Sequence, residues 1–258
     1  MTKRSKVVAI IPARYDSTRF PGKPLALING IPMIQHVYEC VSKAKRVNEV
    51  YVATDDSRIA DKVESLGGKY VMTSSSLRSG TDRCAAAARK IKADIVVNVQ
   101  GDEPVISPKT IDAAVSALVN SADCEMSTAA VPIRDEGFLL TGNVVKVVLS
   151  KANDALYFSR STIPFIRGVD PRDHLKNFRY LKHLGIYVYR QTFLQKLTKM
   201  KETPLEAAEK LEQLRVLENG YRIKVAIVQD DTISVDVPSD ITAVEEFLKA
   251  KKLNRKGS

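Results

Sequence analysis

Val7-Val8-Ala9-Ile10-Ile11-Pro12-Ala13-Arg14-Tyr15-Asp16-Ser17-Thr18-Arg19-Phe20-Pro21-Gly22-Lys23-Pro24 is the stretch on which the fold turns. Residues 7–11 are apolar without polar alternation, the composition of a strand buried on both faces. The run passes through Pro12 into a loop carrying Arg14, Arg19, Lys23, the hydroxyls of Ser17 and Thr18, and Gly22. In open α/β sheets, ligands bind at the carboxyl ends of the strands, where this loop begins. Arg offers forked donors, Lys a point charge and Gly close backbone approach, so the loop suits a phosphate chain. A solvated basic loop is the competing reading, and no Gly-Lys-Ser/Thr P-loop is present to decide between them.

Outward from this stretch the alternation continues. Helical patterns at 33–42, 57–66, 81–91 and 111–119 are interleaved with strand patterns at 50–54, 70–72 and 95–99. Apolar strands separated by amphipathic helices predict an α/β fold, with a Rossmann-like, mostly parallel sheet covered on both faces. After residue 127 the pattern changes. Strands are expected at 128–132, 144–149, 183–189 and 223–228, with an irregular Pro-, Arg- and Asp-rich segment at 161–179. A helix over 204–218 should end at Asn219-Gly220, and a last helix should begin at Pro238 with Asp236 or Ser239 as its cap. The expectation is a single domain over 1–258 containing a smaller lobe at about 127–190, with a frayed tail at 251–258.

Composition bounds the function. The 258 residues are 44% hydrophobic and 27% charged, enough apolar material for a substantial core, which excludes a disordered chain. Lys and Arg number 40 against 30 Asp and Glu, a formal charge of +10 that attracts polyanions without saying which. A nucleic-acid binder would concentrate its cations on one face and add stacking aromatics; here the cations are scattered and Trp is absent, so a small-molecule pocket is expected instead. Cys40, Cys84 and Cys124 are odd in number and far apart, which suggests neither a disulfide framework nor a paired-cysteine zinc site, and fits a reducing cytoplasm. No export leader is read at the amino terminus. No apolar run approaches the ~20 residues of a membrane span.

Two acidic segments complement the basic loop. Asn98-Val99-Gln100-Gly101-Asp102-Glu103-Pro104 ends a buried strand in a turn, placing Asp102 at the same sheet edge as Arg14. A carboxylate there can hold Mg²⁺ against phosphate oxygens, since Mg²⁺ takes hard oxygen ligands and often only one or two protein carboxylates. Capping the next helix is the alternative. Ser234-Val235-Asp236-Val237-Pro238-Ser239-Asp240 offers Asp236 as a second carboxylate, with a helix cap again the rival role.

These segments occur in order with Tyr51-Val52-Ala53-Thr54-Asp55-Asp56, Met72-Thr73, Ser79-Gly80-Thr81-Asp82-Arg83, Ala155-Leu156-Tyr157-Phe158-Ser159-Arg160, His183-Leu184-Gly185-Ile186-Tyr187 and Leu211-Glu212-Gln213-Leu214-Arg215. In them the chain closely resembles the 3-deoxy-manno-octulosonate (Kdo) cytidylyltransferases, over nearly its whole length. The resemblance implies that CTP and the sugar acid Kdo give CMP-Kdo and diphosphate, for lipopolysaccharide biosynthesis, with Mg²⁺ as cofactor and a homodimer as the assembly. It implies a catalytic set of Arg14, Lys23, Asp102 and Asp236, the two acids holding the metal. Pro12, Arg14, Arg19, Lys23, Arg78, Ser79, Gly80 and Gln100 would bind the nucleotide. Gln100, Arg160, Arg167, His183, Tyr187, Glu212 and Gln213 would bind the sugar acid.

By local pattern alone, His183 reads equally as a satisfied strand histidine, Tyr187 as core, Arg160 as half of a surface ion pair, and Glu212 and Gln213 as a solvated helix face. The chain has Ser234 where the family often has Gly, and residues 168–179 match no familiar pattern. A related sugar acid, an 8-amino Kdo analogue or sialic acid, would share the nucleotide loop.

Overall fold

A computed structural model describes residues 5–16 and 19–256, with side chains described as far as residue 250. Ser17, Thr18 and the end of the expected tail lie outside the described residues. The chain divides into two compact units, Met1–Asp112 with Thr232–Ser258, and Ala113–Asp231. The second contains the range expected for a smaller lobe.

In the first unit, β1 (Val7–Ala13) is buried at every position, as an unalternating apolar run between two parallel neighbours must be. A short hairpin of β2 (Leu27–Ile28) and β3 (Ile31–Pro32) leads into α1 (Met33–Ser42). Then come β4 (Glu49–Thr54), α2 (Ser57–Ser65), β5 (Lys69–Met72), α3 (Gly80–Ala88) and β6 (Ile95–Val99), and α4 (Pro108–Val119) spans the division between the units. The strand order is β6-β1-β4-β5, all parallel, with Ile10 paired to Tyr51 and Asn98, and Val52 to Tyr70. Parallel strands end at a common edge, so Arg14, Asp55, Thr73 and Gln100 emerge on the same side. Helix α1 buries Met33, Ile34, Val37 and Val41, the spacing of one helical face. Helix α3 buries Cys84, Ala85, Ala87 and Ala88, small side chains that let it lie close to the sheet.

The second unit holds β7 (Met126–Pro132), α5 (Glu136–Leu140), β8 (Lys146–Leu149), β9 (Ala155–Ser159), α6 (His174–Asn177), β10 (Leu181–Arg190), α7 (Gln191–Leu197), α8 (Pro204–Glu209), α9 (Gln213–Glu218) and β11 (Ile223–Ile227). Here pairing is mixed: β7 runs parallel to β11 and antiparallel to β10, and β8 is antiparallel to both β10 and β9. The α/β class with mostly parallel pairing is as expected. The single helix over 204–218 is not. Lys210 takes φ 52° and breaks it, because Glu206 in α8 must meet Arg215 in α9, at 2.5 and 2.7 Å. On one straight helix these residues would stand about 13 Å apart along the axis.

The chain returns to the first unit in α10 (Asp240–Lys256), which begins at Asp240 rather than Pro238 and extends to residue 256 of the expected frayed tail. Asp240 closes the turn before it, its carboxylate accepting the amides of Asp236 and Val237 at 2.8 and 3.0 Å. Of the two expected caps, Ser239 stands immediately before the helix and Asp236 lies outside its first turn. Val235 and Val244 are buried with Ile28, Met33 and Val105, and Phe20, Ile233 and Phe247 pack around them. Burying two Val side chains is worth about 3–6 kcal/mol, which holds the returning segment beside the β1 loop.

Candidate active site

The sheet edge of the first unit opens into a cavity of about 310 Å³, lined by Pro12, Ala13, Arg14, Arg19, Lys23, Pro24, Leu77, Arg78, Ser79, Gly80, Arg83, Gln100, Gly101, Asp102 and Asp236. The geometry of its floor explains two glycines. A Cβ on Gly101 would lie 2.7 Å from the Pro12 carbonyl oxygen, a backbone contact that cannot give way, so only glycine lets the β6 turn pass the end of β1. Gly22 has φ +71°, and its amide donates to the Tyr15 carbonyl at 2.9 Å, which closes the basic loop on itself. The Arg58 guanidinium stacks 3.4 Å from the Tyr15 ring centroid and covers that closure from α2.

Lys23 is the hub of the cavity. Its Nζ donates to Asp102 Oδ2 at 2.6 Å and to the Val235 carbonyl at 2.9 Å, while the Val235 amide donates to the Asp102 carbonyl at 2.9 Å. The segment carrying Asp236 is thereby clipped to the turn carrying Asp102. Hydrogen bonds to charged groups contribute about 1.5–3 kcal/mol each, so this clip is firm. The Arg19–Asp236 bridge, 3.2 Å long, joins side chains 68% and 51% exposed. Such a pair contributes at most about 1 kcal/mol and yields readily to a competing anion.

On another wall, Ser79 caps α3 by accepting the Asp82 amide at 3.0 Å, which fixes Ser79 and Gly80 at the cavity edge. Gln100 donates Nε2 to Asn98 Oδ1 at 2.9 Å, so its amide oxygen is the group left to face a ligand. All four residues of the expected catalytic set and all eight expected nucleotide residues line this one cavity. Sequence reasoning gave no role to Ala13, Pro24, Leu77, Arg83 or Gly101, although all but Leu77 stand inside the quoted motifs.

The donor set fits Mg²⁺. Asp102 and Asp236 bring hard oxygens to a cavity that no Cys or His lines, and the cations around them suit phosphate oxygens as co-ligands. Among the described residues no cluster of three or more His, Cys, Asp or Glu could hold a metal.

The expected sugar-acid residues all lie in the second unit except Gln100. His183, Tyr187 and Gln213 form a contact chain: the His183 and Tyr187 rings are 5.5 Å apart, and the Tyr187 hydroxyl donates to Gln213 Oε1 at 3.4 Å. His183 is buried, which holds its imidazole down to a pKa of about 3 and keeps it neutral. The Thr128 hydroxyl gives its proton to the Ile186 carbonyl at 2.6 Å, so the 2.8 Å contact to His183 must use the imidazole Nε2–H. What His183 retains is an acceptor, Nδ1, rather than a donor. Gln213 Nε2 is buried with no partner among the described residues, an orphaned donor beside Tyr187.

Arg160 is held from four directions. Its amide donates to the Glu209 carboxylate at 2.9 Å, Nε to the Glu209 carbonyl at 2.8 Å and Nη1 to the Gly142 carbonyl at 3.1 Å. Its own carbonyl accepts from Lys146 Nζ at 2.5 Å. Lys146 is fully buried, also donates to the carbonyls of Thr141 and Val144, and has its pKa pushed down by burial. Nothing in a strand reading Lys-Val-Val-Leu distinguishes such a lysine from a solvated one. Glu212 is half-buried; Arg167 is exposed and makes no hydrogen bond or ion pair among the described residues.

Residues 8–224 match the family model described as Cytidylyltransferase. The chain is 53% identical over 250 residues to a 3-deoxy-manno-octulosonate cytidylyltransferase of Geobacter metallireducens, covering 94% of this chain and 98% of that protein. A protein of the same description from Bacteroides thetaiotaomicron is 51% identical over 249 residues, covering 95% and 98%. Among solved structures, a CMP:2-keto-3-deoxy-manno-octonic acid synthetase complexed with CTP superposes with a TM-score of 0.89 at 42% identity, covering 96% of this chain and all of that one.

Proposed function

The chain belongs to the cytidylyltransferase family, and from that premise we propose that it transfers CMP from CTP to the sugar acid Kdo and releases diphosphate, a step toward lipopolysaccharide. The observation that carries the site assignment is the meeting of Arg14, Arg19, Lys23, Asp102 and Asp236, from three distant parts of the chain, around one cavity. The anomeric hydroxyl attacks the α-phosphorus, the bond from that phosphorus to the bridging oxygen breaks, diphosphate leaves with the electron pair, and the hydroxyl proton is released. Such a transfer depends on alignment and on meeting negative charge.

Each side chain has a task in that scheme. Arg14 and Arg19 give forked donors to the phosphate oxygens, and Arg19 leaves Asp236 at little cost. Lys23 meets the charge that grows on the departing diphosphate. Leu77 to Gly80 form the wall for the base, and Gln100 offers its amide oxygen. Asp102 and Asp236 would hold Mg²⁺, which when bound polarises the α-phosphate and offsets its charge. For the sugar acid, Arg160 supplies the cation for the carboxylate, while the buried Gln213 amide, Tyr187 and His183 Nδ1 supply neutral donors and acceptors for hydroxyls. Glu212 and Arg167 are kept in this set on the family resemblance.

A cytoplasmic homodimer completes the proposal. All three cysteines are free thiols, and among the described residues no helix is long and apolar enough to cross a membrane. Phe165 and Phe178, 74 and 45% exposed, pack edge-on against the buried His174 and Tyr180 of the second unit, and exposed apolar rings of this kind mark a contact surface. Sedimentation of Phe165→Asp should show dissociation to the monomer; an unchanged dimer would place the interface elsewhere.

The activity is tested by diphosphate release from CTP or UTP with Mg²⁺ and a panel of Kdo, 8-amino Kdo and sialic acid. CTP with Kdo should be fastest, and a chelator should stop turnover. Preference for another acid would reassign the substrate, and turnover indifferent to chelator would remove the metal from the scheme.

A further inference from the structure

Several quoted residues have no task in the scheme above: Thr54 at the end of β4, Asp55 just after it, Thr73 after β5, and Arg83 on α3. The structure joins them. Arg83 is 3% exposed; its Nη2 donates to Asp55 Oδ2 at 2.7 Å and its Nη1 to Thr73 Oγ1 at 2.6 Å. Thr73 passes the connection on, its hydroxyl and its amide both donating to the Thr54 carbonyl, at 3.0 and 2.8 Å. Arg83 is one helical turn beyond Ser79, whose carbonyl accepts its amide at 3.1 Å. The loop of residues 74–79 thus leaves the sheet at Thr73 and enters α3 at Ser79, and one buried guanidinium ties both ends to β4. Leu77, Arg78, Ser79 and Gly80 of this loop and helix start are cavity wall, and Arg83 borders the same space.

We propose that Arg83 is the positioning residue that sets the base-facing wall of the cavity, and with it the choice of nucleobase; this rests on the reading that residues 78–80 face the base. A buried charge is tolerated only when paired and hydrogen-bonded, and here both partners belong to the edge that the loop must be aligned with. The planar fork presents its two donors to Asp55 and Thr73 in a fixed geometry, whereas an ammonium is a point charge on a flexible stem and holds the two acceptors less exactly in register. Base recognition depends on the position of the wall, because donors and acceptors moved off the edge of the base are left unpaired.

Steady-state kinetics of Arg83→Lys with CTP, UTP and the sugar acid test the proposal, alongside thermal melting. The KM for CTP should rise about tenfold or more with kcat within about threefold, the preference for CTP over UTP should fall, and the KM for the sugar acid should stay put. Thr73→Val removes one acceptor and leaves the ion pair, and should move the same quantities less far; if Arg83→Lys does not fold, this variant decides. Equal rises in KM for both substrates, a loss of kcat with nucleotide preference intact, or a lower melting temperature with unchanged kinetics would overturn it. Failure of the unmodified enzyme to release diphosphate from CTP would instead overturn the reading beneath it.

Discussion

In the proposed scheme the cavity of the first unit and the sugar-acid residues expected in the second meet their ligands in opposite ways. Around the cavity the working groups are full charges on exposed or half-buried side chains, paired with one another across the space. In the second unit two of them are buried and neutral, the His183 imidazole and the Gln213 amide with its orphaned donor, and one arginine is gripped through both backbone and side chain. A triphosphate can be caught by charges that rearrange, since Coulombic attraction is not directional. Hydroxyls of a sugar are distinguished by donors and acceptors fixed in advance, and burial does the fixing.

That contrast can be broken experimentally, beginning where the effect should be greatest. Asp102→Asn should lower kcat by about 100-fold or more while changing the KM for CTP far less, because the carboxylate matters most as charge builds in the transition state. Equal losses in kcat and CTP affinity would make Asp102 a binding residue only.

Arg160→Ala should raise the KM for the sugar acid and spare CTP, by about 10- to 100-fold for a charge-assisted contact worth ~1.5–3 kcal/mol. Lys146→Met removes one of the grips on Arg160 and should move the same parameter less far. A CTP-selective defect in either would place Arg160 in the wrong pocket.

The last effect is read in stability rather than in rate, as a pH dependence. His183 is held near 3 when folded, against 6.5 as its ordinary value, so the unfolded chain alone takes up this proton between those limits. The stability contributed by neutral His183 is therefore complete above about pH 6.5 and is drawn off as pH falls, by at most ~1.4 kcal/mol per pH unit. Denaturant midpoints from pH 7 to 4 should fall more steeply for the native chain than for His183→Gln. Parallel slopes would mean that the folded ring takes up its proton as readily as the unfolded one.

How much of this the sequence carried follows the same division. The buried run of residues 7–11 and the cations after it are contiguous, so strand, loop and chemistry are readable in a single stretch, and Asp102 follows from the same logic one strand further on. Asp236 was legible as a candidate but not as a neighbour: its return depends on Val235 and Val244 finding Ile28, Met33 and Val105, contacts between residues over 100 positions apart. The break at Lys210 was hidden because 204–218 has unbroken helical composition, and only the Glu206–Arg215 pair demands the fold-back. Lys146 and Arg83 look like ordinary surface charges until tertiary burial gives them acceptors.

The central claim is that two acids distant in the chain and one basic loop serve a single nucleotide. Calorimetric titration of CTP into the protein, with and without Mg²⁺, tests it in the native chain, in Asp102→Asn, in Asp236→Asn and in the double variant. Mg²⁺ should tighten CTP binding in the native chain, either substitution should abolish most of that gain, and the second should then add little. Gains that survive each single substitution, or losses that simply add in the double variant, would mean that the acids act at separate places.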